Sequence, residues 1–285
     1  MSMDVLQEKI RKLKNPSMVD LTLLPAQLPA CVREAGDELA AYTVFCREML
    51  TALKGTVPAV RFSYDHFALL GGLDRLPEML TQAGELGYYV ALDGPQALSV
   101  ATAQLAAEKL TALHFDALIL SPYIGSDGVK PFMTLCKEQG KDLFFAVRTA
   151  NKSALELQDL LTGSRHVYTA AADVLGRFAE GVLERSGYSR VGLLASCGAP
   201  TALMELRRKY NRFFLLADGL DTPGGNAKNA SLAFDRLGHG AVVCAGIGIT
   251  CAWQENETDG GDYVEQAMQA AQRMQKNLTR YLDIV

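Results

Sequence analysis

The chain has 285 residues, a formal net charge of -4, 49% apolar residues and 21% charged residues. The apolar share is enough for a large core, and the mild acidity excludes the basic footprint of a nucleic-acid or anionic-membrane partner. No apolar stretch approaches the ~18 residues of a membrane span, and Met1 to Asn15 mixes charges of both signs without the apolar run of a signal peptide. Six cysteines (Cys31, Cys46, Cys136, Cys197, Cys244 and Cys251) are scattered, with no C-x-x-C pair and no histidine at ligand spacing. That usage reads as free thiols in a cytoplasmic protein.

Along the chain, short apolar runs alternate with longer stretches of helical periodicity. Lys9 to Lys14 begins as a short helix, and Ser17 to Leu24 is the first strand, broken by Pro25 and Pro29. A helix follows from Glu34 to Lys54, with Leu39, Tyr42, Cys46, Met49 and Leu53 on one stripe and Gly55 as its stop. The later strands are expected at Ala59–Tyr64, Tyr88–Asp93, Ala117–Leu120, Leu143–Val147, Arg190–Ala195, Phe213–Ala217 and Ala241–Ala245. The helices between them are expected at Leu73–Leu86, Leu98–Ala112, Val129–Glu138, Ala154–Leu161 with Tyr168–Arg185, Thr201–Tyr210 and Ala227–Leu237. The last helix, Asp262 to Leu282, carries an apolar stripe from Val264 to Tyr281, and Asp262 with Glu265 has the form of a capping box.

Eight strand–helix units follow one another without a long linker. The strands are continuously apolar, as parallel strands covered on both faces are. The reading is α/β: a single-domain (β/α)8 TIM barrel over residues 1–285 with a short N-terminal helical extension. A doubly wound sheet is the alternative.

In such a barrel the chemistry lies at the C-terminal ends of the strands. The polar residues expected there are Asp20 and Thr22; Arg61, Ser63, Asp65 and His66; Asp93; Ser121, Tyr123, Ser126 and Asp127; Arg148, Thr149 and Asn151; Ser196 and Cys197; and Asp218 with Asp221. Two glycine-rich loops, holding Gly224 with Gly225 and Gly246 with Gly248, stand where barrels often bind phosphate through backbone N–H groups. They serve equally well as tight turns. Neither contains an Arg or Lys, and Lys228 is the nearest cation in sequence. The four histidines, His66, His114, His166 and His239, share no helix face, and no metal site emerges.

Several segments together resemble the orotidine 5′-monophosphate decarboxylase family in its longer bacterial form. They are Lys14-Asn15-Pro16 before the first strand, Asp116 to Phe132 with Pro122-Tyr123, Gly125 and Asp127, Phe144 to Leu160, Gly187 to Pro200, and Pro223-Gly224-Gly225. The resemblance implies a homodimer of barrels that converts orotidine 5′-monophosphate to UMP and carbon dioxide without metal or organic cofactor. It implies an alternating array of lysines and aspartates, in which charge is preorganised where it develops in a dry site.

Carried over residue by residue, the family's first aspartate falls on Thr22 and its strand-two lysine on Arg61. The first aspartate of the central D-x-K-x-x-D motif is retained as Asp93. Its catalytic lysine falls on Pro95 and its second aspartate on Leu98. The threonine that follows is retained as Thr102, which fixes the register. The phosphate-gripping arginine falls on Ile247, and the glutamine before the two glycines on Pro223. What the resemblance leaves is a residual catalytic set of Asp93, Arg61 and Thr102. To it belong substrate-binding positions at Ser121, Tyr123, Asp127, Thr149 and Asn151, and phosphate-binding backbone at Gly224, Gly225, Gly246 and Gly248.

The reading is a decarboxylase-like barrel that has lost decarboxylation and keeps, at most weakly, a nucleotide or phosphorylated ligand. Two alternatives stay open: retained UMP synthesis with Arg61 and Asp93 compensating, or different chemistry with Asp93, Asp127 or His66 as base. Arg61 and Asp93 are expected to pair, and a fixed cation beside Asp93 is expected to lower its pKa.

Overall fold

The strands form because their side chains alternate between two apolar environments. The computed structural model describes residues 3–34, 36–256 and 260–284. Its strands are β1 Ser17–Asp20, β2 Ala59–Ser63, β3 Tyr89–Asp93, β4 Ala117–Leu120, β5 Asp142–Arg148, β6 Ser189–Ser196, β7 Phe213–Asp218 and β8 Ala241–Ala245. All neighbours are parallel, and the sheet closes in the order β1-β8-β7-β6-β5-β4-β3-β2. One set of side chains (Met18, Ala59, Tyr89, Ala91, Ile119, Phe144, Leu194, Phe214, Leu216, Val242 and Cys244) fills the barrel interior. The intervening set, including Val19, Val60, Phe62, Val90, Leu92 and Leu118, packs outward against the helices. The period of two therefore decides which polar strand-end residues point into the barrel.

The surrounding helices are α1 Met3–Leu13, α2 Glu38–Ala52, α3 Leu76–Glu85, α4 Val100–Leu110, α5 Met133–Gln139, α6 Val167–Ala179, α7 Pro200–Lys209 and α8 Tyr263–Leu278. None of the described helices is long and apolar enough to cross a membrane. The α1 helix belongs to the interior: Met3, Leu6 and Ile10 are fully buried in the same cluster as Tyr89, Phe144 and Phe214. It closes the end of the barrel opposite the carboxyl ends of the strands. Gln7 Oε1 accepts from the Gly240 N–H at 2.9 Å, and Lys9 donates to the Gly87 carbonyl. Truncating this plug leaves a cavity that rigid barrel walls cannot fill. Leu6→Ala is therefore expected to lower stability by about 2–5 kcal/mol, read as a shift in the urea midpoint at constant slope.

Several predicted bounds move for local reasons. The first helix starts earlier than Lys9. The first strand stops at Asp20, and a single 3-10 turn, Pro25–Gln27, follows. The helix expected from Glu34 begins at Glu38, because Asp37 caps it by accepting from the Ala40 N–H at 2.8 Å; residue 35 lies outside the described residues. The helix expected over Val129–Glu138 is split at Pro131 into Ser126–Val129, a 3-10 turn Lys130–Phe132, and α5, since proline removes a helical donor.

Helix Ala154–Leu161 is replaced by a 3-10 turn, Lys152–Glu156, and a small antiparallel hairpin pairing Leu161–Thr162 with Arg165–His166. Gly163 at φ +67° makes that turn. The helix from Ala227 stops at Ser231, and the Asp235 carboxylate then gathers the N–H groups of Leu237 and His239. Asp262 is the N-cap residue of α8, but the capping box does not form. Its carboxylate accepts from Gln266 Nε2 at 2.8 Å.

Candidate functional site

Four inward-pointing side chains meet where β1, β2, β3 and β7 end. Asp20 stands beside Arg61 in the register of β1 and β2, and Asp93 ends β3 opposite Ser63. Asp218 ends β7 across the barrel. Arg61 Nε and Nη2 both donate to Asp93 Oδ2, at 3.0 and 2.6 Å. Arg61 Nη1 donates to Asp218 Oδ1 at 2.9 Å and lies 3.6 Å from Asp20 Oδ2. The side chain of Arg61 is only 12% exposed, so its fork is committed to its three partners. The expected Arg61–Asp93 pair is present.

Its electrostatic consequence runs opposite to expectation. Burial raises the pKa of Asp93, and although Arg61 pulls it down, Asp20 and Asp218 push it up again; the balance stands at about 6. One guanidinium does not neutralise three carboxylates in a dry site. Asp218 is raised for the same leading reason, its burial. Asp93 Oδ1 is buried without a hydrogen-bond partner among the described residues. Thr22, where the resemblance places an aspartate, also has a buried hydroxyl without a partner there, while its N–H donates to Asp20 Oδ1 at 2.9 Å.

Above this cluster opens a cavity of about 320 Å³. It is lined by Arg61, Asp93 and Asp218 at the floor, by Ser121, Tyr123 and Thr149 on the β4–β5 side, and by Ser63, Asp65, Gln96, Gln158 and the Gly94-Pro95 turn. Gly94 sits so close to β4 that a Cβ there would lie 3.0 Å from Leu120 and 3.3 Å from the Ile119 carbonyl. Thr149 and Gln158 hold each other through the Thr149 N–H and the two side chains, and the Tyr123 hydroxyl donates to the Val147 carbonyl. Gln96 and Gln158 are the additions to the residues read from sequence; Asp65 and Asp218, expected at the strand ends, come to line the cavity.

Other expected residues lie elsewhere. Thr102 is exposed in the first turn of α4, where its hydroxyl meets that of the N-cap residue Ser99 at 2.8 Å. Asp127 pairs with Lys130 at 3.0 Å on the surface, and Asn151 is exposed beside the Thr149 hydroxyl. None of these three lines the cavity. His66 packs edge-on to Tyr42, with ring centroids 4.6 Å apart, and burial lowers its pKa.

The two glycine-rich loops also stay outside the cavity, and the N–H groups of Gly225, Gly246 and Gly248 are engaged. The backbone N–H groups of Gly246 and Gly248 both donate to Asp221 Oδ2, at 2.9 and 2.7 Å. Gly224 and Gly225 are packing glycines. The first has φ +86° against Gly198, and a Cβ on the second would lie 2.4 Å from the Gly219 carbonyl. Ile247, where the resemblance expects an arginine, is 48% exposed.

No family model matches the chain. It is 32% identical over 247 residues to the orotidine 5′-phosphate decarboxylase of Rhodopirellula baltica, covering 81% of this chain and 82% of that protein. It is 25% identical over 263 residues to the enzyme of the same name from Clostridium perfringens, covering 90% of each. Among solved structures, an orotidine 5′-monophosphate decarboxylase from Plasmodium berghei superposes with a TM-score of 0.75 over 97% of this chain and 99% of that one, at 12% identity, a likeness of fold.

Proposed function

The chain belongs to the orotidine 5′-phosphate decarboxylase family, and on that premise we propose that it is a member that has lost the decarboxylation reaction while keeping an open ligand cavity. The observation that carries this reading is the state of Arg61. The position where the family resemblance expects the strand-two lysine holds a planar guanidinium tied to Asp93 and Asp218 in place of a compact ammonium. At the family's proton-donor position, the register set by Asp93 and Thr102 places Pro95, which has no proton to give. Leu98, at the second aspartate position, is 87% exposed.

The phosphate-binding end supports the same reading. Asp221 sits on the N–H groups of Gly246 and Gly248, so a phosphoryl group arriving there would meet a carboxylate in place of free donors. The nucleotide ligand that the resemblance implies is thus weakened at both ends. On this reading the chain is one barrel unit, and exposed Leu98 and Val100 suit the homodimer that the family resemblance implies. Sedimentation of the purified protein measures that dimer.

The test of lost activity is the fall in substrate absorbance with orotidine 5′-monophosphate. Turnover is expected at least ~10²–10⁴-fold below that of a relative carrying the lysine, the contribution of one positioned acid. Family-like turnover overturns the reading. UMP is expected to leave the melting temperature unchanged at millimolar concentration, since a ligand stabilises only by binding the folded state.

A further inference from the structure

The charge on the cavity wall is one-sided. Asp65, Asp93 and Asp218 face it with Arg61 as the one fixed cation among its lining residues, and no lysine lines it. Arg61 is consumed by the floor carboxylates. Asp65 has no such cation beside it among the described residues: one of its oxygens accepts from the Gln96 N–H at 3.2 Å, and the side chain stays partly exposed at the start of the Tyr64–Leu69 helix. The same cavity has apolar lining from Ile119, Leu120 and Leu194.

We propose that this cavity binds a small organic ammonium or amidinium compound, its cationic head on Asp65 above the Arg61–Asp93–Asp218 floor and its short hydrocarbon body against Ile119, Leu120 and Leu194. The proposal rests on the reading that phosphate-directed chemistry is lost. The volume of about 320 Å³ is at the small end of ligand pockets, which limits the compound to a modest body. A concave lining carrying excess negative charge concentrates cations and repels anions. A bare divalent ion is a poorer occupant, because among the described residues no group of three His, Cys, Asp or Glu side chains is arranged to hold a metal. An alkylammonium instead satisfies one carboxylate with its head and the apolar wall with its body.

The experiment is calorimetric titration of the full chain at low salt with butylammonium, butane-1,4-diamine and agmatine, against butan-1-ol, inorganic phosphate, UMP and magnesium ion. At least one of the three cations is expected to bind saturably, and the other probes are not. Asp65→Asn is expected to weaken that binding about tenfold or more, the worth of one charge-assisted contact. Asp65→Glu is expected to retain it. Ser121→Lys, which puts a positive charge on the rim without touching Asp65, is expected to weaken it independently.

Absence of binding by all three cations, equal binding of butan-1-ol or magnesium, binding of phosphate or UMP in their place, or an Asp65→Asn affinity equal to wild type each overturns the proposal. A failure here alongside absent decarboxylation leaves the preceding reading standing. Decarboxylation at a family-like rate removes that reading whatever the amines do.

Discussion

Arg61→Ala is expected to cost about 3–5 kcal/mol of folding stability, the largest loss of any single substitution at the barrel mouth. The mechanism is the stranding of charge. With the guanidinium gone, Asp20, Asp93 and Asp218 face one another where their side chains are 20%, 25% and 18% exposed, and water screens them poorly. Adding Asp93→Asn to Arg61→Ala is expected to recover part of the loss, because one of the repelling carboxylates is then neutral. A double-mutant cycle in urea measures that coupling. Equal destabilisation by single and double variants would show that Arg61 acts through packing alone. Arg61→Lys keeps the charge but loses the fork that reaches Asp93 and Asp218 together, so its loss is expected to be smaller.

The second large effect is a fall in stability as the solution becomes alkaline. Asp142 begins β5 with no exposed surface, and its Oδ2 accepts from the Tyr89 hydroxyl at 2.6 Å. Burial is the main cause that pushes its pKa up, to about 8, against the pull of Tyr89 and Arg190. A raised carboxyl holds its proton in the folded chain at pH values where the unfolded chain has lost it. The stabilisation it gives is complete below the ordinary carboxylate value, near pH 4, and is lost as pH rises through about 8.

Asp93 adds the same sign, and its share is lost by about pH 6. Between pH 6 and pH 8.5 the slope therefore belongs mainly to Asp142, and the expected loss is about 2–3 kcal/mol. Asp142→Asn is expected to flatten it, because the amide oxygen still accepts from Tyr89 and no proton is released. Urea unfolding at the two pH values, for both chains, reads the difference. An unchanged slope in the variant would mean that Asp142 ionises normally.

The barrel was legible because its strands are short, apolar and evenly spaced; Ala117–Leu120 and Ala241–Ala245 fall on the bounds read from sequence. Most helix interiors were legible from their periodicity, but Ala154–Leu161, read as a helix, is a 3-10 turn and a hairpin. Helix ends were decided by single residues, such as Asp37 and Pro131, whose caps and missing donors outweigh periodicity. At the site, Asp93 and Arg61 could be read because one ends an apolar run and the other interrupts one. Asp218 carries the same signal, an apolar run Phe213–Ala217 closed by an aspartate, and sequence reading placed it in a loop.

Asp20 was harder to place. The resemblance directed attention to Thr22 as a lost carboxylate, while the inward face of β1 offers one two residues earlier. The sign of the Asp93 shift was beyond reach, since it depends on three carboxylates converging from strands far apart in sequence. So was the role of Asp221, whose partners lie 25 and 27 residues away.

The interior position of α1 bears on how the chain is made. Its apolar residues Met3, Leu6 and Ile10 are made long before the residues they cluster with, which include Phe214, Leu216 and Val242, and the Gln7–Gly240 bond joins residues 233 apart. At ~5–20 residues per second, the helix spends on the order of ten to fifty seconds with its sticky face unsheltered. A fold that seals its barrel with α1 can be completed only once β7 and β8 have been made.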